Sequence, residues 1–184
     1  MKVIGLTGTI GSGKETVKEI LKEKTGAFYV TLSDVIRKEM EKNSADRKTL
    51  QDMGNHLRKN FGLHILTELA VKSIPEETNV VIIDGIRNSG EVEFLRKKFK
   101  NDFKLLAIDA HEKIRFERTV KRNEIRDVKS FEEFKIWDER DKGKGEPEFG
   151  QHVGECMSRA DYTIQNDGSL EELKEKINSF ISMI

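Results

Sequence analysis

Residues 8–14 read Gly8-Thr9-Ile10-Gly11-Ser12-Gly13-Lys14, directly behind the apolar run Lys2 to Leu6 and ahead of a segment in which Val17, Ile20 and Leu21 share one helical face. A strand that breaks into a glycine turn and restarts as a helix leaves few folds open. The glycines let the backbone curl with its N–H groups inward, the helix presents its positive end, and Lys14 reaches the outer phosphates of a bound polyphosphate. Gly8, Thr9, Gly11, Ser12, Gly13, Lys14, Glu15 and Thr16 are therefore the expected residues of the polyphosphate site. A dinucleotide cradle is excluded, because it needs a small residue where Thr16 stands and an acid closing a second strand.

The rest of the chain alternates in the same way. Ala27 to Thr31, Val80 to Asp84, Phe103 to Asp109 and Tyr162 to Gln165 are short apolar runs of the kind that parallel strands covered on both faces produce. Between them, Leu50, Met53 and Leu57, then Ile65, Leu66 and Leu69, then Val92, Leu95 and Phe99 mark helical faces. Ser169 and Glu172 stand at capping-box spacing before the stripe Leu173, Ile177 and Phe180. The expected class is α/β, one domain over residues 1–184, with a stretch containing Gly143, Gly145, Pro147 and Gly150 as a loop. Phe131, Phe134 and Trp137 read as the packing face of a short helix.

Composition narrows the function classes. Lys plus Arg and Asp plus Glu both number 33, which removes the bulk positive field that sequence-independent nucleic-acid binding uses. No apolar run is long enough to cross a bilayer, so no membrane association is expected. Cys156, the one cysteine, reads as a small buried hydrophobe. The four histidines lack metal-ligand spacing. With no signal-peptide pattern at the start, the expected location is the cytoplasm.

Charged residues at strand ends supply the chemistry. Asp84 closes an apolar strand and is the preferred magnesium-side acid. Glu15 takes the place after Lys14 where a metal-binding hydroxyl usually stands. It either ligates magnesium directly, holds it through water, or serves only the helix dipole. Arg37, Arg58 and Arg87 follow strand ends or lie on the next helix, and their planar forks suit an acceptor that already carries phosphate. Arg115, Arg118 and Arg122 recur along one helical face, with Arg126 beyond, and read as a mobile basic flap over the transferred group.

Taken together, these residues make the chain resemble the P-loop nucleoside and nucleotide kinases, the adenylate kinase-like and deoxynucleoside monophosphate kinase-like families, over nearly its whole length. Leu32-Ser33-Asp34-Val35-Ile36-Arg37 is similar to the start of their acceptor-binding helix, and Asp84-Gly85-Ile86-Arg87 to their Asp-Gly-x-x-Arg segment, one residue shorter. Arg118 through Arg126 resembles the helix leading into their lid, and Ala160-Asp161-Tyr162 through Asn166-Asp167-Gly168 their final strand and nucleotide-side loop.

The resemblance implies a three-layer fold with parallel strand order 2-3-1-4-5, acceptor-binding helices over about 33–73 and a helical lid over about 115–145. It also implies Mg-ATP as donor, bound in part by Arg118 and Asn166, with Asp34, Arg37, Arg58 and Arg87 on a phosphorylated acceptor. Arg122 and Arg126 would be the catalytic lid cations beside Lys14, in a monomer or homodimer. An acid after the loop lysine also occurs in deoxynucleoside monophosphate kinases. The opening through Lys14 is similar to dephospho-coenzyme A kinases as well, an alternative acceptor class. A regulatory nucleotide-binding protein or slow ATPase is the alternative of another kind.

Overall fold

The computed structural model describes residues 1–41, 47–122 and 130–184. Five parallel strands form the central layer: β1 (Lys2–Gly8), β2 (Phe28–Thr31), β3 (Val80–Asp84), β4 (Phe103–Asp109) and β5 (Tyr162–Gln165), in the order β2-β3-β1-β4-β5. This is the expected order. β1 runs two residues beyond Leu6 because Thr7 and Gly8 pair with Ala107 and Ile108 of β4, while Ala27 is buried just ahead of β2.

Alternation along the strands divides the core. Val3, Val81, Ile83 and Leu105 point to one face, where α2 (Leu32–Glu39), α3 (Arg47–Phe61), α4 (Ile65–Lys72), α5 (Ser89–Phe99) and α8 (Val153–Ser158) contribute Ile36, Leu57, Leu66, Leu95 and Cys156. Ile4, Leu6, Ile82 and Leu106 point to the other, against α1 (Lys14–Thr25) and α9 (Leu170–Ile181). The terminal helix docks through Leu173, Ile177 and Phe180, and Ser169 Oγ accepts the Glu172 N–H as its cap. Cys156 is fully buried.

Register brings the strand ends to one edge. Thr31 lies beside Asp84, Gly8 beside Ile108, and Asp109 beside Gln165, so five chain segments turn outward at the same rim. Ligands of open parallel sheets bind at this carboxyl edge.

Above that rim stand α6 (Glu112–Arg122) and α7 (Phe131–Lys142), whose rings Phe116, Phe131, Phe134 and Trp137 pack with Ile10. Trp137 and its neighbours thus form the packing face expected. Arg115 corrects an expectation: it is no flap cation but a buried strut. It donates to both oxygens of Asp138 (2.5 and 2.9 Å), to the Ala110 carbonyl (2.9 Å) and to the Ile10 carbonyl inside the glycine loop (3.2 Å). A charge so far from water persists only with such partners.

Removing one partner strands the other. Asp138→Ala should lower stability by about 3–5 kcal/mol, or about 2–4 °C in Tm for each kcal/mol. The pair Arg115→Leu with Asp138→Leu should lose less than the two single changes summed. Thermal denaturation of Asp138→Ala, of the two single Leu variants and of their pair measures this, and strict additivity would contradict the assigned pairing.

Candidate nucleotide and acceptor site

A cleft of about 610 Å³ opens at the carboxyl edge and runs from the glycine loop to α3. At one end, α1 begins after Gly13 without a side-chain cap, leaving its first N–H groups for a ligand. Glycine is required at three loop positions, and at Gly8 (φ 149°) a Cβ would overlap the Ile108 carbonyl. Gly11 (φ 74°) and Gly13 (φ 93°) adopt left-handed backbone, and a Cβ on them would overlap the Arg115 carbonyl and the Asn166 amide respectively.

The loop is held from both sides. Thr9 Oγ1 donates to Asp109 (2.9 Å), Asn166 Nδ2 donates to the Ser12 carbonyl (2.9 Å), and Lys14 Nζ donates to the Gly8 and Thr9 carbonyls (2.6 and 3.1 Å). Asn166 thus lies against the glycine loop. Thr16 and Arg118 also line the cleft.

Asp84 ends β3 with Oδ1 buried and unpartnered. Burial raises its pKa above the ordinary carboxylate range, and the nearby charges of Lys14, Arg87 and Lys18 offset part of that effect. Glu15 is otherwise disposed. Its side chain is 71% exposed and ion-paired with Lys18. Lys18 itself went unnoticed in the sequence, yet it is 5% exposed and lines the cleft. Its Nζ meets Glu19 (3.2 Å) and the Tyr29 hydroxyl (3.4 Å) as well as Glu15. Burial disfavours its charge, but bonds to these carboxylates and the nearby Tyr29 outweigh burial and raise its pKa. A lysine at the edge of the Val17, Ile20, Leu21 stripe was the available signal.

The expected acceptor arginines all line the far half of the cleft, each with a carboxylate of its own. Arg37 pairs with Asp34 (2.7 Å), and Arg58, almost wholly buried, pairs with Glu91 (2.7 Å). Arg87 Nη1 reaches Asp141 Oδ1 (3.3 Å) and Gln151 Oε1 (3.0 Å). Glu91 is doubly used, since it also accepts the Arg87 and Asn88 N–H groups (2.7 and 3.1 Å) in the capping box of α5. Asn88 Nδ2 in turn fixes the loop before Gln151 through the Glu148 and Gly150 carbonyls, both at 2.9 Å. Gln51, Glu91, Asp141 and Gln151 were not found by sequence reasoning.

Seven cationic side chains line the cleft, Lys14, Lys18, Arg37, Arg58, Arg87, Arg118 and Arg122, against four acids, Glu15, Asp34, Asp84 and Asp141. A chain of zero net charge has thus gathered a positive bias at one rim. Arg126 lies outside the described residues.

Among the described residues, the buried side-chain atoms without a hydrogen-bond partner are Ser12 Oγ, Gln51 Oε1, Asp84 Oδ1 and Arg118 Nη1. All four residues line this cleft. Orphaned polar atoms cost stability in an empty protein and are satisfied by whatever fills the site.

Comparison with known proteins places this geometry. The AAA domain family (AAA_18) matches residues 4–138. A UPF0200/UPF0201 protein of Archaeoglobus fulgidus is 36% identical over 98% of the chain, which spans only 55% of that relative. A UPF0200 protein of Pyrococcus furiosus is 38% identical, covering 99% of this chain and 97% of its own length. Among solved structures, shikimate kinase from Bacteroides thetaiotaomicron superposes with a TM-score of 0.61 at 18% identity, over 99% of this chain and 97% of that one, a likeness of fold. The chain belongs to the UPF0200 family and has the fold of the P-loop kinase-like superfamily.

Proposed function

We propose that the chain is an ATP-dependent phosphotransferase that moves the γ-phosphoryl group of Mg-ATP to a nucleoside or deoxynucleoside monophosphate. One observation carries the reading: a single cleft joins the glycine loop, with the open N-terminus of α1, to Arg37, Arg58 and Arg87 at its far end. A nucleotide binder without a second substrate has no use for the far half.

In this reading Lys14 leaves the loop carbonyls for the β- and γ-phosphates, while Ser12 Oγ and Arg118 Nη1 gain phosphate oxygens as partners. The orphaned Oδ1 of Asp84 fits magnesium, which takes one or two carboxylates beside phosphate oxygens. Glu15, committed to Lys18, is left outside its ligand set. When bound, the metal neutralises charge on the phosphates. Arg37 and Arg87 orient the acceptor, and Arg122, with Arg118, faces the transferred group. The chain functions as one domain, with acceptor helices over about 33–73 and a lid over about 115–145, in the cytoplasm as a monomer or homodimer.

A second acceptor class has an observation of its own. Each acceptor arginine already shares its charge with a carboxylate, which weakens its hold on a phosphate dianion. This favours phosphorylation of a ribose hydroxyl, as by a dephospho-coenzyme A kinase.

Release of ADP with Mg-ATP and a panel of ribo- and deoxyribonucleoside monophosphates and dephospho-coenzyme A measures the reaction. Acceptor-dependent turnover is expected, with Lys14→Ala reducing it by about a thousandfold or more. Turnover equal with and without every acceptor would leave a slow ATPase or regulatory nucleotide binder.

Asp84 gives a separate test. Its folded-state pKa is raised, so the unliganded protein loses stability as pH climbs from the ordinary carboxylate value through the raised one, and stays lower above it. Asp84→Asn should therefore melt higher than the parent at neutral pH and equal it in strong acid, while losing the stabilisation by Mg-ATP. Identical melting at neutral pH would contradict the assigned burial of charge.

A further inference from the structure

Three of the four orphaned atoms, on Ser12, Asp84 and Arg118, belong to the donor end of the cleft. The fourth, Gln51 Oε1, belongs to the acceptor end, and the surrounding bonds fix what it is. Arg87 can only donate, so Gln151 presents its oxygen to the Arg87 Nη1 (3.0 Å). Asp141 accepts from the same nitrogen (3.3 Å). Gln51 places its amide within 2.9 Å of both these oxygens, Asp141 Oδ1 and Gln151 Oε1, and must therefore turn its NH₂ toward them. A flipped amide would crowd three acceptor oxygens together. The Gln51 carbonyl is thereby left without a protein partner, on a residue that is 3% exposed and lines the cleft.

We propose that Gln51 selects the acceptor by receiving, at Oε1, a hydrogen bond from an N–H or O–H donor on that molecule. The inference rests on the phosphotransferase reading and deepens it. Gln51, Gly54 and Arg58 line the cleft from one face of α3, two turns in length. Arg37 and Arg87 meet the acceptor's anionic part, and Gln51 reads a group beyond them. A ligand that brings only an acceptor atom or a methyl group there buries the carbonyl unpaired, which hydrogen-bonding sites reject far more strongly than they reject a missing methylene.

The test uses ligands that differ only in that donor, on the full chain with Mg-ATP. Adenosine monophosphate against purine riboside monophosphate, and cytidine monophosphate against 2-pyrimidinone riboside monophosphate, replace the amino group with hydrogen and leave the ring nitrogens as acceptors. Ribo- against 2′-deoxyribonucleotides of the same base remove a hydroxyl. The parent protein should favour the donor-bearing member of the amino pairs or of the hydroxyl pair by about 10- to 100-fold in kcat/KM. Gln51→Met, of similar volume without the acceptor, should bring that preference to within about twofold. The parent's preference is measurable whether or not the variant folds. Turnover without preference in any pair, or a preference that survives in a folded Gln51→Met, overturns the role of Gln51 alone. Absence of turnover with every acceptor removes the phosphotransferase reading and this inference with it.

Discussion

Two buried aspartates one turn apart on α7 hold both ends of the cleft. Asp138 neutralises Arg115, whose guanidinium also grips the Ile10 carbonyl and so shapes the phosphate loop from beneath. Asp141 meets Arg87 and Gln51, which set the opposite end. The Arg115 guanidinium cannot shed its charge on burial, so it is tolerated there only with such partners. Both aspartates come from one turn of α7, so the two ends of the cleft are tied to a single helix.

The sheet supplies the matching constraint. Parallel register carries Gly8, Thr31, Asp84 and Asp109 to a common rim, so the glycine loop, Asp84 and the starts of α2 and α6 face one volume. Thr9 and Arg115 tie that rim together through Asp109. Hydrophobic burial on the two faces fixes the strands, and the charged groups inherit their positions from it.

Much of this was legible in the sequence, because the signals were local. The glycine spacing, the apolar runs with a terminal acid, and the stripes of α1 and α9 all repeat within a few residues, and the strand order followed from family resemblance. Arg37 and Arg87, singled out in the sequence for an acceptor, line the cleft, and Asn166 braces the glycine loop. What escaped was pairing over distance. Gln51 meets Asp141 and Gln151 across 90 and 100 residues, and Arg58 meets Glu91 across 33. In a chain that is 36% charged, Asp138 and Asp141 look like any solvated acids. Arg115 was misread for the same reason: periodicity put it in line with Arg118 and Arg122, and only the partner on α7 separates a strut from a cleft-lining cation.

The account stands on the claim that one cleft holds a donor and an acceptor together. The most direct measurement is calorimetric titration with two adenosines joined by a five-phosphate chain, compared with ATP, both with magnesium. If two half-sites lie end to end, the linked compound binds once per chain and at least about 100-fold more tightly than ATP, because the second adenosine binds as an intramolecular partner. Affinity no better than that of ATP, for this compound and for its analogues carrying each of the other nucleosides at the acceptor end, would contradict the two-substrate cleft.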